Sequence, residues 1–178
     1  MSELRQNIED NIKQWVADNI GGDFVFREYQ LDSIVNIIEN VLNGDNKTHI
    51  IEAPTGSGKS LILIISAGVL YEYYKKTSYI LCSDLYLWKQ YDDFINKYPK
   101  IDKVIGRLKG QTGNYKCLKN DEDIRNAECR VAKVSWAKLF DPATAVQEGF
   151  SCAKTCPYVK ARQKAQKSNV TLMTYQLY

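Results

Sequence analysis

The run Ile50-Ile51-Glu52-Ala53-Pro54-Thr55-Gly56-Ser57-Gly58-Lys59-Ser60 constrains this chain more than any other feature. It reads as a buried strand that turns through a glycine-rich loop into a helix. The glycines let backbone N–H groups curl around an anion, and the helix that follows presents the positive end of its dipole to it. A nucleoside triphosphate is the ligand such a loop takes. Pro54, Thr55, Gly56, Ser57 and Gly58 are expected to form the cradle, Lys59 to reach the β and γ phosphates, and Ser60 to ligate Mg²⁺. ATP with Mg²⁺ is therefore the expected cofactor, and Lys59 and Ser60 are the expected catalytic residues. An ordinary glycine-rich strand-to-helix turn is the competing reading.

A chain of 178 residues with 44% hydrophobic content can bury one sizeable core, or one core carrying a small insert. The longest apolar run, Leu61 to Ile65, is far too short to cross a membrane, and Met1-Ser2-Glu3-Leu4 lacks the basic and apolar regions of a signal peptide. No membrane partner is expected. A reducing compartment follows, either a cytoplasm of bacterial or viral-host type or a nucleus, in which cysteines serve as ligands or buried thiols and not as disulfides.

Apolar residues at helical spacing predict a helix over the first twenty residues, ended by Gly21-Gly22, and a second from about Glu28 to Leu42. A first core strand is expected from His49 to Ala53, a buried helix from Ser60 to Tyr74 and a strand from Ser78 to Cys82. A helix from Leu85 to Tyr98, stopped by Pro99, and a strand from Lys103 to Leu108 follow. Beyond Gly110 the periodicity dissolves into a cysteine-bearing, lysine-rich stretch, and order returns at Asn169 to Thr174. The pattern is one α/β domain interrupted by an insert. His49 has no partner at ligand spacing, and Trp15, Trp88 and Trp136 read as packing anchors.

Charge divides along the chain. Residues 1–96 carry 8 basic and 14 acidic side chains, a net −6, whereas residues 97–167 carry 16 basic and 7 acidic, a net +9. The basic stretch also holds four of the five cysteines, so a polyanion is the expected partner, with a solvated basic surface as the alternative. Cys117, Cys129, Cys152 and Cys156 are separated by eleven, twenty-two and three residues. Four thiolates suit a tetrahedral metal or a cubane cluster, and spacing alone leaves zinc, iron-sulfur and unliganded thiols open.

The residues around these features resemble one family. Ala53 in place of the first loop glycine, followed by Pro54-Thr55, is similar to motif I of superfamily 2 helicases. Leu108-Lys109-Gly110-Gln111-Thr112-Gly113-Asn114-Tyr115-Lys116-Cys117 resembles the sequence leading into the cluster domain of XPD/DinG-type helicases, and Cys156-Pro157-Tyr158-Val159-Lys160-Ala161-Arg162 resembles the sequence leading out of it. Phe26-Arg27-Glu28-Tyr29-Gln30 is similar to the family's R-x-x-Q motif. Cys82-Ser83-Asp84-Leu85-Tyr86-Leu87-Trp88-Lys89-Gln90 is similar to motif Ia at Leu87 and Gln90 only, with Cys82 and Asp84 in place of its threonines. Ser168 to Tyr178 is similar to the strand that follows the cluster domain.

The resemblance implies a RecA-like P-loop fold, a parallel sheet with helices on both faces, interrupted by a small cysteine-rich metal-binding insert. Residues 1–109 would be an N-terminal helix and the first part of motor domain 1, 110–165 the cluster insert, and 166–178 a return strand. It implies that Arg27 and Gln30 join the nucleotide site, Gln30 reading adenine. Cys117, Cys129, Cys152 and Cys156 would hold a 4Fe-4S cluster, zinc being the alternative occupant. Lys109, Tyr115, Tyr158, Lys160, Arg162 and Lys164 would contact single-stranded or forked DNA. The implied activity is that of an ATP-driven 5′-to-3′ DNA helicase. The sequence ends before a Walker B motif, so the implied partners include that segment and motor domain 2, in the same or another chain, and this chain alone is expected not to hydrolyse ATP. A non-catalytic, metal-stapled nucleic-acid-binding module is the rival reading.

Overall fold

The computed structural model describes residues 2–44, 50, 52, 54–111 and 113–174. The expected strand from His49 to Ala53 falls mostly outside them. The chain divides into two compact units, residues 1–80 with 90–104 and residues 81–89 with 105–178.

In the first unit, α1 (Glu3–Asn19), α2 (Gln30–Asn43) and α3 (Lys59–Tyr74) pack against one another. Ser2 starts α1 by accepting the Arg5 N–H at 3.2 Å. Ile8, Ile12, Trp15 and Val16 form its buried stripe, each stabilising by about 1.5–3 kcal/mol relative to exposure. Arg5 fixes α1 to α2 through Asn36 at 2.8 Å, Glu39 at 3.0 Å and Asp32 at 3.2 Å. Gly68 makes the α1–α3 approach possible, since a Cβ there would lie 2.2 Å from the Trp15 indole. Trp15 is thus the packing anchor expected of it. Gly44, at φ +73°, closes α2.

Strand β1 (Ser78–Cys82) leads to α4 (Leu85–Asn96). Pro99 does not simply stop a helix; it opens the short α5 (Pro99–Val104), where its missing N–H costs nothing. Residues 103 and 104, expected at the start of a strand, are therefore helical.

Strands β2 (Ile105–Leu108) and β3 (Val170–Thr174) both belong to the second unit. They pair in parallel, Ile105 opposite Val170 and Leu108 opposite Met173. The sheet order is β1-β3-β2, and the last two residues of β1 belong to this unit. The α/β class with a small parallel sheet agrees with the expectation.

The stretch between β2 and β3 is not irregular throughout. It contains α6 (Glu128–Val131), α7 (Trp136–Phe140), α8 (Pro142–Gln147) and α9 (Pro157–Lys167), with 3-10 turns at Ile124–Asn126 and Ser151–Lys154. The first three helices are too short to complete an apolar repeat, and local capping marks two of them instead: Ser135 accepts from Lys138 N–H at the start of α7 and Asp141 from Thr144 N–H at the start of α8. Helix α9 lies directly on β2, where a Cβ at Gly106 would meet the Ala165 Cα at 2.8 Å. It runs two residues past the expected end of the insert.

Candidate nucleotide loop and cysteine cavity

The phosphate loop lies in the first unit. Gly56 at φ +81° and Gly58 at φ +87° take the left-handed conformation that only glycine adopts cheaply, and α3 begins at Lys59 directly after them. Gly58 is also fixed by space, because a Cβ would stand 2.4 Å from the Gln30 Nε2.

Three side chains tie this loop down from behind. Arg27 Nη1 donates to the Gly56 carbonyl at 2.6 Å, and Tyr29 Oη and Gln30 Nε2 both donate to the Ser57 carbonyl, at 2.7 and 3.0 Å. Gln30 Oε1 in turn accepts the Arg27 backbone N–H at 3.0 Å. A trans peptide points its C=O and the next N–H in opposite directions, so anchoring Ser57 C=O turns Gly58 N–H to the other side. That N–H joins the first-turn N–H groups of α3, for which the helix itself supplies no acceptor, as donors for an anion. The Ser57 hydroxyl is buried and has no hydrogen-bond partner among the described residues. The donor set therefore fits a phosphate chain.

Lys59 is exposed, and its Nζ donates to the Pro54 carbonyl at 2.9 Å, across the base of the loop. Ser60 is half-buried on the first turn of α3. Arg27 and Gln30, expected to join the nucleotide site with Gln30 reading adenine, reach instead the backbone of the loop, and the buried Gln30 amide is engaged at both ends. Tyr29 was given no role from sequence. Its signal was position alone, between Arg27 and Gln30.

The second unit brings Cys117, Cys129, Cys152 and Cys156 to the lining of one cavity. The walls are otherwise apolar, from Leu118, Ile124, Leu139, Phe150, Ala153 and Val159. Local structure places each thiol. Cys117 sits in a turn closed by its N–H to Glu122 C=O and its own C=O from Asp121 N–H, both 2.8 Å. Cys129 is on α6 and Cys152 in the second 3-10 turn. Cys156 precedes α9 and donates its N–H to Cys152 C=O at 3.0 Å. Cys129 and Cys156 pack against both apolar clusters of the unit.

Burial first, then the neighbouring thiols, holds Cys129 and Cys152 above the ordinary thiol range. A cation among them would favour the thiolates that burial and the neighbouring thiols disfavour. Among the described residues, no group of three or more His, Cys, Asp or Glu side chains is poised to hold a metal ion as it stands. The four thiols thus line one apolar cavity without forming a metal-binding group there, and the expected 4Fe-4S cluster or zinc finds no support in this arrangement. Cys82 stands apart in β1, fully buried, its thiol pushed up to about 11 by burial and then by Asp84. Asp84 accepts the Leu87 N–H at 2.8 Å and the Ser83 hydroxyl at 2.9 Å, placing its own carboxylate at the start of α4.

The residues expected to touch DNA separate into two groups. Tyr158 is fully buried and meets Tyr115 edge-on at 5.0 Å, so as a stacking surface for a base Tyr158 is corrected: neither ring face is accessible. Tyr115 Oη accepts the Lys109 N–H at 3.1 Å, and Arg162 Nη1 donates to Tyr158 Oη at 3.3 Å. Lys109 Nζ lies 4.1 Å above the centre of the Trp88 ring, and Trp88 is buried as expected of an anchor. Lys160 and Lys164 are exposed. Among the described residues, no helix is long and apolar enough to cross a membrane.

Residues 23–177 match the family described as type III restriction enzyme, res subunit (ResIII). No curated protein sequence matches the chain.

Proposed function

The chain belongs to the ResIII family, a superfamily 2 helicase N-terminal domain that suggests ATP-dependent work on nucleic acid, and on that premise we propose that it is the nucleotide-binding part of a 5′-to-3′ DNA helicase of the XPD/DinG type. The observation that carries the finer reading is the resemblance of the residues flanking Cys117 and Cys156 to the sequences leading into and out of that family's cluster domain. Cys117, Cys129, Cys152 and Cys156, up to thirty-nine residues apart in sequence, line one cavity.

In this reading the Gly58 N–H and the first turn of α3 bind the phosphates of ATP. Lys59 leaves the Pro54 carbonyl to reach the β and γ phosphates, and Ser60 presents its hydroxyl to Mg²⁺. Arg27, Tyr29 and Gln30 hold the loop carbonyls away from the anion. The four thiolates would hold a 4Fe-4S cluster, which when bound supplies a rigid staple across the insert. Single-stranded or forked DNA is the proposed substrate. The Walker B carboxylates and motor domain 2, in the same or another chain, are the proposed partners, and a bacterial or viral-host cytoplasm is the proposed location.

Anaerobic purification from iron-replete cells tests the cluster. A brown protein with broad visible absorption, and iron and sulfide in equal amounts, supports it. Stoichiometric zinc without iron rejects it. Cys117→Ser and Cys156→Ser should lose the metal, whereas Cys82→Ser should keep it.

A further inference from the structure

Helix α9 carries Lys160, Arg162, Lys164 and Lys167 and no acidic residue. At about 100° per residue, Lys160, Lys164 and Lys167 fall within one narrow arc, and all three are exposed. Tyr158, Ala165 and Arg162 fall on the opposite side. Two of these are buried, and the third is half-buried with its guanidinium on Tyr158 Oη. The two kinds of basic residue are therefore distinct in use: Arg162 serves packing, and the three lysines face water.

Elsewhere in the same unit Lys116, Lys119 and Lys138 are matched to acids, with Asp121, with Glu128 at 2.6 Å and with Glu148 at 2.5 Å. The exposed Lys89, Lys133 and Lys154 have no ion pair among the described residues, but they lie far apart in sequence and form no row. Lys160, Lys164 and Lys167 have no ion pair among the described residues. A row of unmatched ammonium groups, spanning roughly 10 Å along a helix rising about 1.5 Å per residue, repels itself unless a polyanion lies along it. The helix is also held rigidly for such a task. Its first turn follows Cys156, and its far end rests on Gly106 of β2.

We propose that the Lys160, Lys164 and Lys167 face of α9 is the surface along which the phosphodiester backbone of a nucleic acid strand lies, with Arg162 internal to the fold and Lys167 completing the row. This rests on the reading above that nucleic acid is the substrate. Phosphate contacts of this kind position the strand without reading its bases.

The test measures binding of a fluorescent single-stranded oligodeoxynucleotide to the full chain across a salt series. Changing Lys160, Lys164 and Lys167 together to Gln should weaken binding about tenfold or more at low salt. It should also flatten the slope of log affinity against log salt by about 2, near 0.7 per lost contact. A matched triple, Lys116→Gln, Lys119→Gln and Lys138→Gln, removes the same net charge and should leave the slope unchanged. Equal effects of the two triples would overturn the assignment, as would a parental slope in the α9 variant. Poly-glutamate that competes as well as unlabelled oligonucleotide at equal charge would also overturn it, by showing a general anion surface. On the unmodified chain, lysine acetylation read by mass spectrometry should slow at Lys160, Lys164 and Lys167 on adding oligonucleotide. Unchanged labelling there counts against the proposal whether or not the variants fold. A parent that binds ATP but shows no salt-sensitive binding to the oligonucleotide would instead remove the nucleic-acid reading, and this inference with it.

Discussion

The Tyr29 hydroxyl and the Gln30 amide nitrogen donate to the same acceptor, the Ser57 carbonyl, at 2.7 and 3.0 Å. Two donors on one oxygen fix the peptide plane between Ser57 and Gly58, and with it the N–H offered to phosphate. Their environments differ: Gln30 is buried, whereas Tyr29 is 40% exposed.

Tyr29→Phe should weaken ATP binding only a few-fold, because an exposed hydroxyl lost from a shared acceptor costs about 1 kcal/mol. Gln30→Leu should cost more, about 1–3 kcal/mol, since it removes a buried donor to Ser57 C=O and also the acceptor of the part-buried Arg27 N–H. Isothermal titration with Mg·ATP separates them. Equal losses would show that the brace is not what orders the loop.

Lys59 offers the opposite contrast, since its side chain is exposed and its bond to Pro54 C=O is open to water. Lys59→Ala should therefore leave the melting temperature within about 2 °C of the parent, as expected for a change of under about 0.5 kcal/mol. The same variant should weaken ATP binding at least tenfold. A thermal shift assay with and without nucleotide reads both quantities. A fall in the melting temperature of the free chain to match would make Lys59 a structural residue of the loop.

Much of this was legible in sequence where a local rule dictates geometry. The glycines at 56 and 58 announced left-handed backbone, the apolar repeat of α1 announced its buried stripe, and β3 was placed to within a residue. What was not legible needed contacts between distant segments. Tyr158 looks like any surface tyrosine beside lysines until Tyr115 and Arg162 are seen to enclose it. Helix α9 was missed because its core contacts, Tyr158, Val159 and Ala165, are too few to stand out against six polar or basic neighbours. Its clearest local signal was Pro157 immediately after Cys156, a proline in a first helical turn.

Helix α1 precedes the family match, yet Trp15 fills the space that Gly68 leaves open on α3. Gly68→Ala should destabilise by about 1–3 kcal/mol through overpacking, although alanine is the better helix former. Trp15→Ala should cost about 3–5 kcal/mol. In the double variant the two costs should fall short of their sum, since the new methyl enters the space the indole vacates. Urea unfolding of the four proteins completes the cycle, and strict additivity would show that these residues do not meet.

Cys82 gives the chain an alkaline weakness with a definite sign. Its thiol holds its proton up to about 11 when folded, against 9.0 when free, because burial disfavours the thiolate and the Asp84 carboxylate adds to the effect. Between those two values the folded chain binds more protons than the unfolded one, so stability falls as pH rises through that window and is unaffected below it. Cys82→Ala should flatten the fall while lowering stability little at neutral pH. Chemical denaturation at intervals from pH 8 to about 11 measures both curves. Iodoacetamide provides a second reading at pH 8: Cys82 should react far more slowly in the native chain than after unfolding. Rapid native alkylation at Cys82, or parallel pH curves for parent and variant, would mean that this thiol is neither closed off by β1 nor short of solvation.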